Sequence, residues 1–295
     1  PITMQTISGF LNQHLLGALA AAGLSNYIAP PADSFIDPVA LDLGGTFYKL
    51  YPTPTRQAGT YASYRVYLPP DYTTNTRRRY PAIYFLHGRS VDSKRPITAG
   101  YVARLDAAIR RGVMPPAIVV LVQGLNTGWY TDAENGLGPI ESVIVKDLIR
   151  HVDATYRTIA SRAGRAIEGH SMGGFGALHL GFKYPELFAA VTANSPAMIT
   201  DVPDAMGSQA FWAAEWPATL AKARIDRVRE QRIRIIIGDQ DNLFAGAKRF
   251  SDELTEMKVS HGFVPVPGSP HNHDQLVQYQ TFDTMAFYGK AFAGR

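Results

Sequence analysis

Gly169-His170-Ser171-Met172-Gly173 holds a serine between two glycines in the pattern Gly-x-Ser-x-Gly. A strand-like run, Ala163 to Glu168, leads in, and a small-residue helical run, Gly174 to Gly181, leads out. A strand-to-helix turn of this kind admits only small residues beside the serine and lifts its oxygen off the end of a sheet, where a base can reach it. The pentapeptide alone recurs by chance. Its flanks are what favour a nucleophile over a serine that merely caps a helix.

A serine hydroxyl needs an adjacent base, and the base needs a third group to orient it. Where the nucleophile stands on such an elbow, the acid and then the histidine follow it along the chain. Ile237 to Asn242 closes a strand-like run and offers Asp239 and Asp241. Asp241 is preferred because Gly238 makes the turn and the carboxylate follows at Gly-x-x-Asp spacing; the alternative use of either is to cap a helix near Leu243. Three histidines lie beyond Asp241. His261 sits in a turn before the last strand-like run, and His273 begins the final helix. His271 follows the rigid loop Val266-Pro-Gly-Ser-Pro270 and is the candidate base.

The developing oxyanion needs two backbone donors. Met172, the residue after the nucleophile, supplies one at a helix start. The loop His87-Gly88-Arg89-Ser90 supplies the other through the Arg89 amide. His87 and His170 read as structural. The run His271-Asn-His-Asp274 lacks the spacing of a zinc hydrolase, and no complementary ligand cluster appears elsewhere. Neither a metal nor a cofactor is expected.

The elements that position these residues are strands alternating with helices. Strand-like runs fall at 61–68, 82–87, 117–122, 165–168, 188–193 and 233–237. Helix-like runs fall at 101–111, 141–156, 171–183, 245–257 and 274–292. This rhythm predicts an α/β fold with a mostly parallel sheet and helices on both faces. Ligands then bind beyond the carboxyl ends of the strands, where Ser171 lies. Residues 1–55 are punctuated by Pro and Gly, carry one helix-like stretch from Leu11 to Leu24, and read as an N-terminal extension to a 56–295 domain.

Composition narrows the class. With 46% hydrophobic and 18% charged residues, the 295-residue chain can bury a large core. The net charge of +4 is scattered, and the one tight run, Arg77-Arg78-Arg79, reads as a solvated loop, so no nucleic-acid partner is expected. The absence of cysteine removes disulfides, Cys-ligated zinc and a thiol nucleophile. No apolar run reaches the ~18 residues that cross a bilayer. Leu15 to Ala22 is better read as an ordinary helix than as a signal segment, since no Lys or Arg precedes it, and this leans to a cytoplasmic protein. The start at Pro1 leaves secretion after loss of a leader open.

Five segments taken in order carry a family resemblance: Tyr80 to Gly88, Asp147 to Arg157, Ile167 to Ala177, Tyr184 to Phe188 and Pro267 to His271. Together they resemble the putative-esterase family of α/β-hydrolases, which includes S-formylglutathione hydrolases, feruloyl esterases, enterochelin esterases and secreted mycolyltransferases. The likeness spans roughly residues 60–292. It implies the α/β-hydrolase fold, Ser171, Asp241 and His271 as triad, and Arg89 and Met172 as amide donors. Related esterases carry a similar Trp-Tyr after the strand corresponding to 117–122, so Trp129 and Tyr130 are expected to line the substrate cleft; the alternative is that Trp129 plugs the core. Residues 198–223 are expected to form a cap in which Trp212 and Trp216 make an aromatic wall.

The expected activity is hydrolysis of a small-molecule carboxylic ester through an acyl-enzyme. The alternatives are acyl transfer to a sugar or other alcohol with the same machinery, and a binding protein that kept the fold without the chemistry.

Overall fold

A computed structural model describes residues 34–292 apart from 38, 135, 204, 205, 280 and 281. The helix expected at Leu11 to Leu24 lies outside the described residues. Among the described residues, eight strands form one sheet: β1 (Thr46–Pro52), β2 (Tyr61–Tyr67), β3 (Ala82–Leu86), β4 (Ile118–Val122), β5 (Arg165–His170), β6 (Ala190–Asn194), β7 (Arg232–Gly238) and β8 (Gly262–Val266). Their spatial order is β1-β2-β4-β3-β5-β6-β7-β8. β2 runs antiparallel to both β1 and β4, and every other pairing is parallel.

The apolar runs of β3 and β4 follow from burial on both faces. Successive side chains point to opposite sides of a strand. Tyr84 and Leu86 of β3, with Val120 and Val122 of β4, therefore join a core containing Phe175, Leu178, Phe182 and Leu254. Ile83, Phe85, Val119 and Leu121 enter a second core with Tyr101, Leu105, Met285 and Tyr288. Helices Met172–Lys183 and Phe244–Glu256 cover the first face; Tyr101–Arg110 and Phe282–Phe292 cover the other. This is the α/β-hydrolase architecture, with Ser171 just past β5 at the centre of the sheet.

The structure differs from the sequence reading in three places. First, Thr46–Pro52, placed in the extension, is the edge strand of the sheet, so the sheet begins before residue 55. Second, residues 61–68 alternate in the way of a half-buried strand, yet Ala62 to Tyr67 are all buried. Residues 34–37 and 39–41 cover it: the Ser63 amide donates to the Phe35 carbonyl at 2.9 Å. The Arg65 guanidinium is enclosed by Asp37 at 3.4 Å, Ser93 at 3.2 Å and the carbonyls of Val39 and Leu41. A buried charge stays only when it is paired and hydrogen-bonded, and here the pairing fastens the segment to the sheet. Third, the helix expected at 141–156 spans Ile140–Thr155 but widens to π-helix over Val143–Leu148.

Glu141 opens that helix and is buried. Its carboxylate accepts from His179 Nε2 at 2.9 Å, Tyr184 Oη at 2.5 Å and Lys183 Nζ at 2.9 Å. Burial raises the carboxyl pKa, but the hydrogen bonds from His179, Tyr184 and Lys183 outweigh it and hold Glu141 down at about 2. The folded value is below the ordinary 4.5, so the stabilisation is present above that pH and is lost as pH falls towards 2. Glu141→Gln is therefore expected to cost about 3 kcal/mol near neutral pH and to flatten the acid limb of stability. Urea denaturation at neutral and strongly acid pH checks this; an unchanged acid limb contradicts it.

Candidate active site

β5 ends and helix Met172–Lys183 begins within one residue, Ser171, whose φ of 58° and ψ of −116° lie outside the usual L-residue regions. A conformation of this kind costs on the order of 1–3 kcal/mol and persists only where its surroundings impose it. The Ser171 amide donates to the Asn194 carbonyl at 2.9 Å, and its own carbonyl accepts from Phe175 and Ala197 at 3.0 Å each. Gly173 leaves no alternative: a Cβ there would lie 2.1 Å from the Leu86 carbonyl oxygen. The elbow is thus clamped between β3 and β6.

The Ser171 hydroxyl lies 3.0 Å from His271 Nε2. His271 Nδ1 lies 2.9 Å from Asp241 Oδ2. With Nδ1–H donating to the carboxylate, Nε2 is left to accept the serine proton. Asp241 is buried and His271 is partly open to solvent. Burial raises the Asp241 carboxyl pKa, but the His271 hydrogen bond and the Leu243 amide at 2.8 Å more than offset it and keep the value below normal. The two uses considered for this aspartate, orienting a histidine and holding a helix start, are met by its two oxygens.

Two adjoining loops make this alignment. Gly238 ends β7, and a Cβ there would lie 1.9 Å from the Ser269 carbonyl oxygen, so only glycine lets the 266–270 loop approach so closely. Asp239 holds that loop, accepting from the Gly268 amide at 2.8 Å, and does not join His271. His261 is engaged elsewhere, with Ser251 Oγ at 2.7 Å.

The loop after β3 passes beside the nucleophile: a Cβ on Gly88 would lie 3.4 Å from Ser171 Cβ. Among the described residues, neither the Arg89 nor the Met172 amide has a backbone partner. His87 fixes the loop from below. Its Nε2 accepts from the Gly124 amide at 3.0 Å, which puts the proton on Nδ1, donating to the Gly88 carbonyl at 2.8 Å. Burial lowers its pKa and keeps it neutral.

The aromatic residues expected around the substrate are placed differently. Trp129, Tyr130 and Trp212 are 4%, 1% and 1% exposed. Trp129 packs edge-on against Phe175 and Trp212, each at 5.5 Å, and Trp212 stacks on Phe175 at 4.6 Å. Trp216, half-buried, lies against Phe250 at 6.3 Å, with Nε1 3.5 Å from Glu253. Trp129 and Trp212 belong to the core and Trp216 packs against it; the segment carrying the last two folds as helices Gln209–Ala214 and Pro217–Ala223, the second of which packs on helix Met172–Lys183. Tyr130 acts from beneath the site: its hydroxyl donates to the His87 carbonyl at 2.9 Å. None of these four residues lines the cavity beside Ser171.

That cavity, of about 210 Å³, is lined by Gly88, Arg89, Val91, Arg95, His170, Ser171, His271, Asn272 and His273. Sequence reasoning missed Val91, Arg95 and Asn272, which carry no motif and become neighbours only when the loops after β3 and β8 meet. His170 stacks between His271 at 5.2 Å and His273 at 4.4 Å. For a metal, the one set of suitable spacing among the described residues is Glu141, His179 and Glu215. Lys183 Nζ already sits 2.9 Å from Glu141 and 2.7 Å from Glu215, filling the place of a cation.

Several known proteins resemble this chain in sequence or fold. An esterase of Mycobacterium tuberculosis is 29% identical over 247 residues, covering 69% of this chain and 51% of that protein. An endo-1,4-beta-xylanase/feruloyl esterase of Xylanibacter ruminicola is 29% identical over 145 residues, 45% of this chain and 19% of its own. The chain therefore spans about half the length or less of these curated relatives. Among solved structures, a ferulic acid esterase superposes with a TM-score of 0.74 at 22% identity, covering 84% of this chain and 98% of the other. An S-formylglutathione hydrolase of Agrobacterium tumefaciens gives 0.70 at 18%, covering 86% and 98%. These two show the fold. The family described as "Putative esterase" matches residues 57–269, most of the sequence and all of the elbow. The chain belongs to that family.

Proposed function

We propose that this protein hydrolyses a carboxylic ester through an acyl-enzyme on Ser171. The observation that carries the reading is the continuous hydrogen-bonded line from Ser171 Oγ through His271 to Asp241. His271 Nε2 takes the hydroxyl proton as Ser171 Oγ bonds to the substrate carbonyl carbon. The carbonyl oxygen becomes an oxyanion held by the Arg89 and Met172 amides. Asp241 keeps the imidazole in the tautomer that accepts this proton and stabilises the imidazolium that forms. The tetrahedral species collapses, the C–O bond to the alcohol breaks, and His271 returns the proton to the departing oxygen. Water then repeats the sequence and frees the acid.

The cavity is smaller than the ~300–1,000 Å³ typical of drug-sized ligands, which favours a short substituent beside Ser171. Turnover of p-nitrophenyl acetate, butyrate and decanoate tests this, with product analysis in the presence and absence of an alcohol acceptor. Release of free acid with a preference for the short esters supports the reading. Transfer of the acyl group to the acceptor in place of its release as free acid sinks the hydrolase assignment.

A further inference from the structure

We infer that the cavity beside Ser171 receives an anionic substituent of the ester, such as a carboxylate, with Arg89 and Arg95 as the residues that select it. The inference rests on the esterase reading and names the substrate class of the same site.

The lining is one-sided in charge. It contains two guanidinium groups, three imidazoles and one amide, and no carboxylate among the described residues. Arg95 is held in place by Asp274, 2.7 Å from one guanidinium nitrogen, and reaches Thr98 Oγ1 with the other at 3.5 Å. Arg89 is exposed at the mouth, with no side-chain partner among the described residues. A planar guanidinium matches a carboxylate or phosphate better than any neutral group.

The cavity wall adds a donor that lacks an acceptor among the described residues. His273 is 2% exposed and neither ring nitrogen has a partner; His170 is 8% exposed and its Nε2 has none. Buried polar atoms in folded proteins are nearly always paired. Burial first, then nearby positive charge including Arg95, lowers both histidines, His273 to about 3. Each is therefore a neutral imidazole with one N–H, and in His273 that N–H is unpaired in either tautomer. An acceptor-only group meets this demand, and an ionised carboxylate is one. The Arg89 guanidinium at the mouth draws an anionic ester towards the serine in a salt-dependent way.

The test uses two matched pairs: mono-p-nitrophenyl succinate against its methyl ester, and 4-acetoxybenzoate against methyl 4-acetoxybenzoate. They place the charge on the acyl and on the alcohol side in turn. For at least one pair, kcat/KM for the anionic member is expected to exceed that of its neutral partner by about tenfold, the value of one hydrogen bond to a charged group. That ratio should fall towards unity in Arg95→Gln and Arg89→Gln, and in high salt. Reading a ratio within each variant separates charge selection from any general loss of activity or fold. Turnover of the neutral esters with no anionic preference in either pair overturns this inference and leaves the esterase reading standing. A preference that survives both substitutions also overturns it. No turnover of any ester overturns both.

Discussion

Ser171→Ala is expected to lower kcat by about 10⁴–10⁶-fold, and His271→Ala by a similar factor. The two losses should not multiply in the double variant, because a nucleophile without its base and a base without its nucleophile are equally idle. Asp241→Asn removes the carboxylate that receives Nδ1–H and should cost about 10⁴-fold. Steady-state kinetics on a p-nitrophenyl ester, beside denaturation curves for each variant, makes the measurement. Ser171 stands at the surface end of β5, so its truncation should leave the melting transition in place. A Ser171→Ala variant retaining a tenth of wild-type activity contradicts the assignment of roles.

The second large effect comes from a residue that touches no substrate. Gly173→Ala puts a methyl carbon 2.1 Å from the Leu86 carbonyl oxygen and 2.6 Å from that of His87. Both oxygens are backbone, so no side chain can turn aside. Either helix Met172–Lys183 withdraws from β3 or the 86–88 loop is displaced, and each removes Ser171 from the Arg89 amide. Misplacement by about 1 Å is enough to cost on the order of 10²-fold in rate. The expected result is loss of at least that factor in kcat, together with a lowered melting temperature. Gly173→Ala with wild-type kcat would show that the elbow is looser than these distances indicate.

These two cases show why part of the molecule was legible in the amino-acid order. The central strands declare themselves through apolar runs such as Ile118–Val122, because a strand covered on both faces can carry nothing else. The elbow shows through its small residues, because the crossing of β3 by the following helix forbids larger ones. Asp241 and His271 were sought by their order after the serine, and the structure brings both within hydrogen-bonding distance of the expected partners.

What stayed hidden depends on contacts distant in sequence. β1 is an edge strand with exposed Phe47 and Leu50, so its sequence lacks a buried run. The burial of Arg65 depends on a segment some 28 residues away, and no local pattern predicts a guanidinium inside a sheet. The tryptophans misled for a related reason. An indole in a loop suits a cleft or a core equally well, and only the packing of Trp212 on Phe175 decides between them. Arg95 and the stacked histidines emerge only when the loops after β3 and β8 close on each other.

The most direct measurement of the central claim is the site of covalent capture by a fluorophosphonate probe. After digestion, mass spectrometry should find the adduct on the peptide containing Ser171, at one equivalent per chain. Labelling should be abolished by Ser171→Ala and slowed by orders of magnitude in His271→Ala. An adduct on another serine, or a Ser171 that stays unmodified in folded protein, contradicts the account.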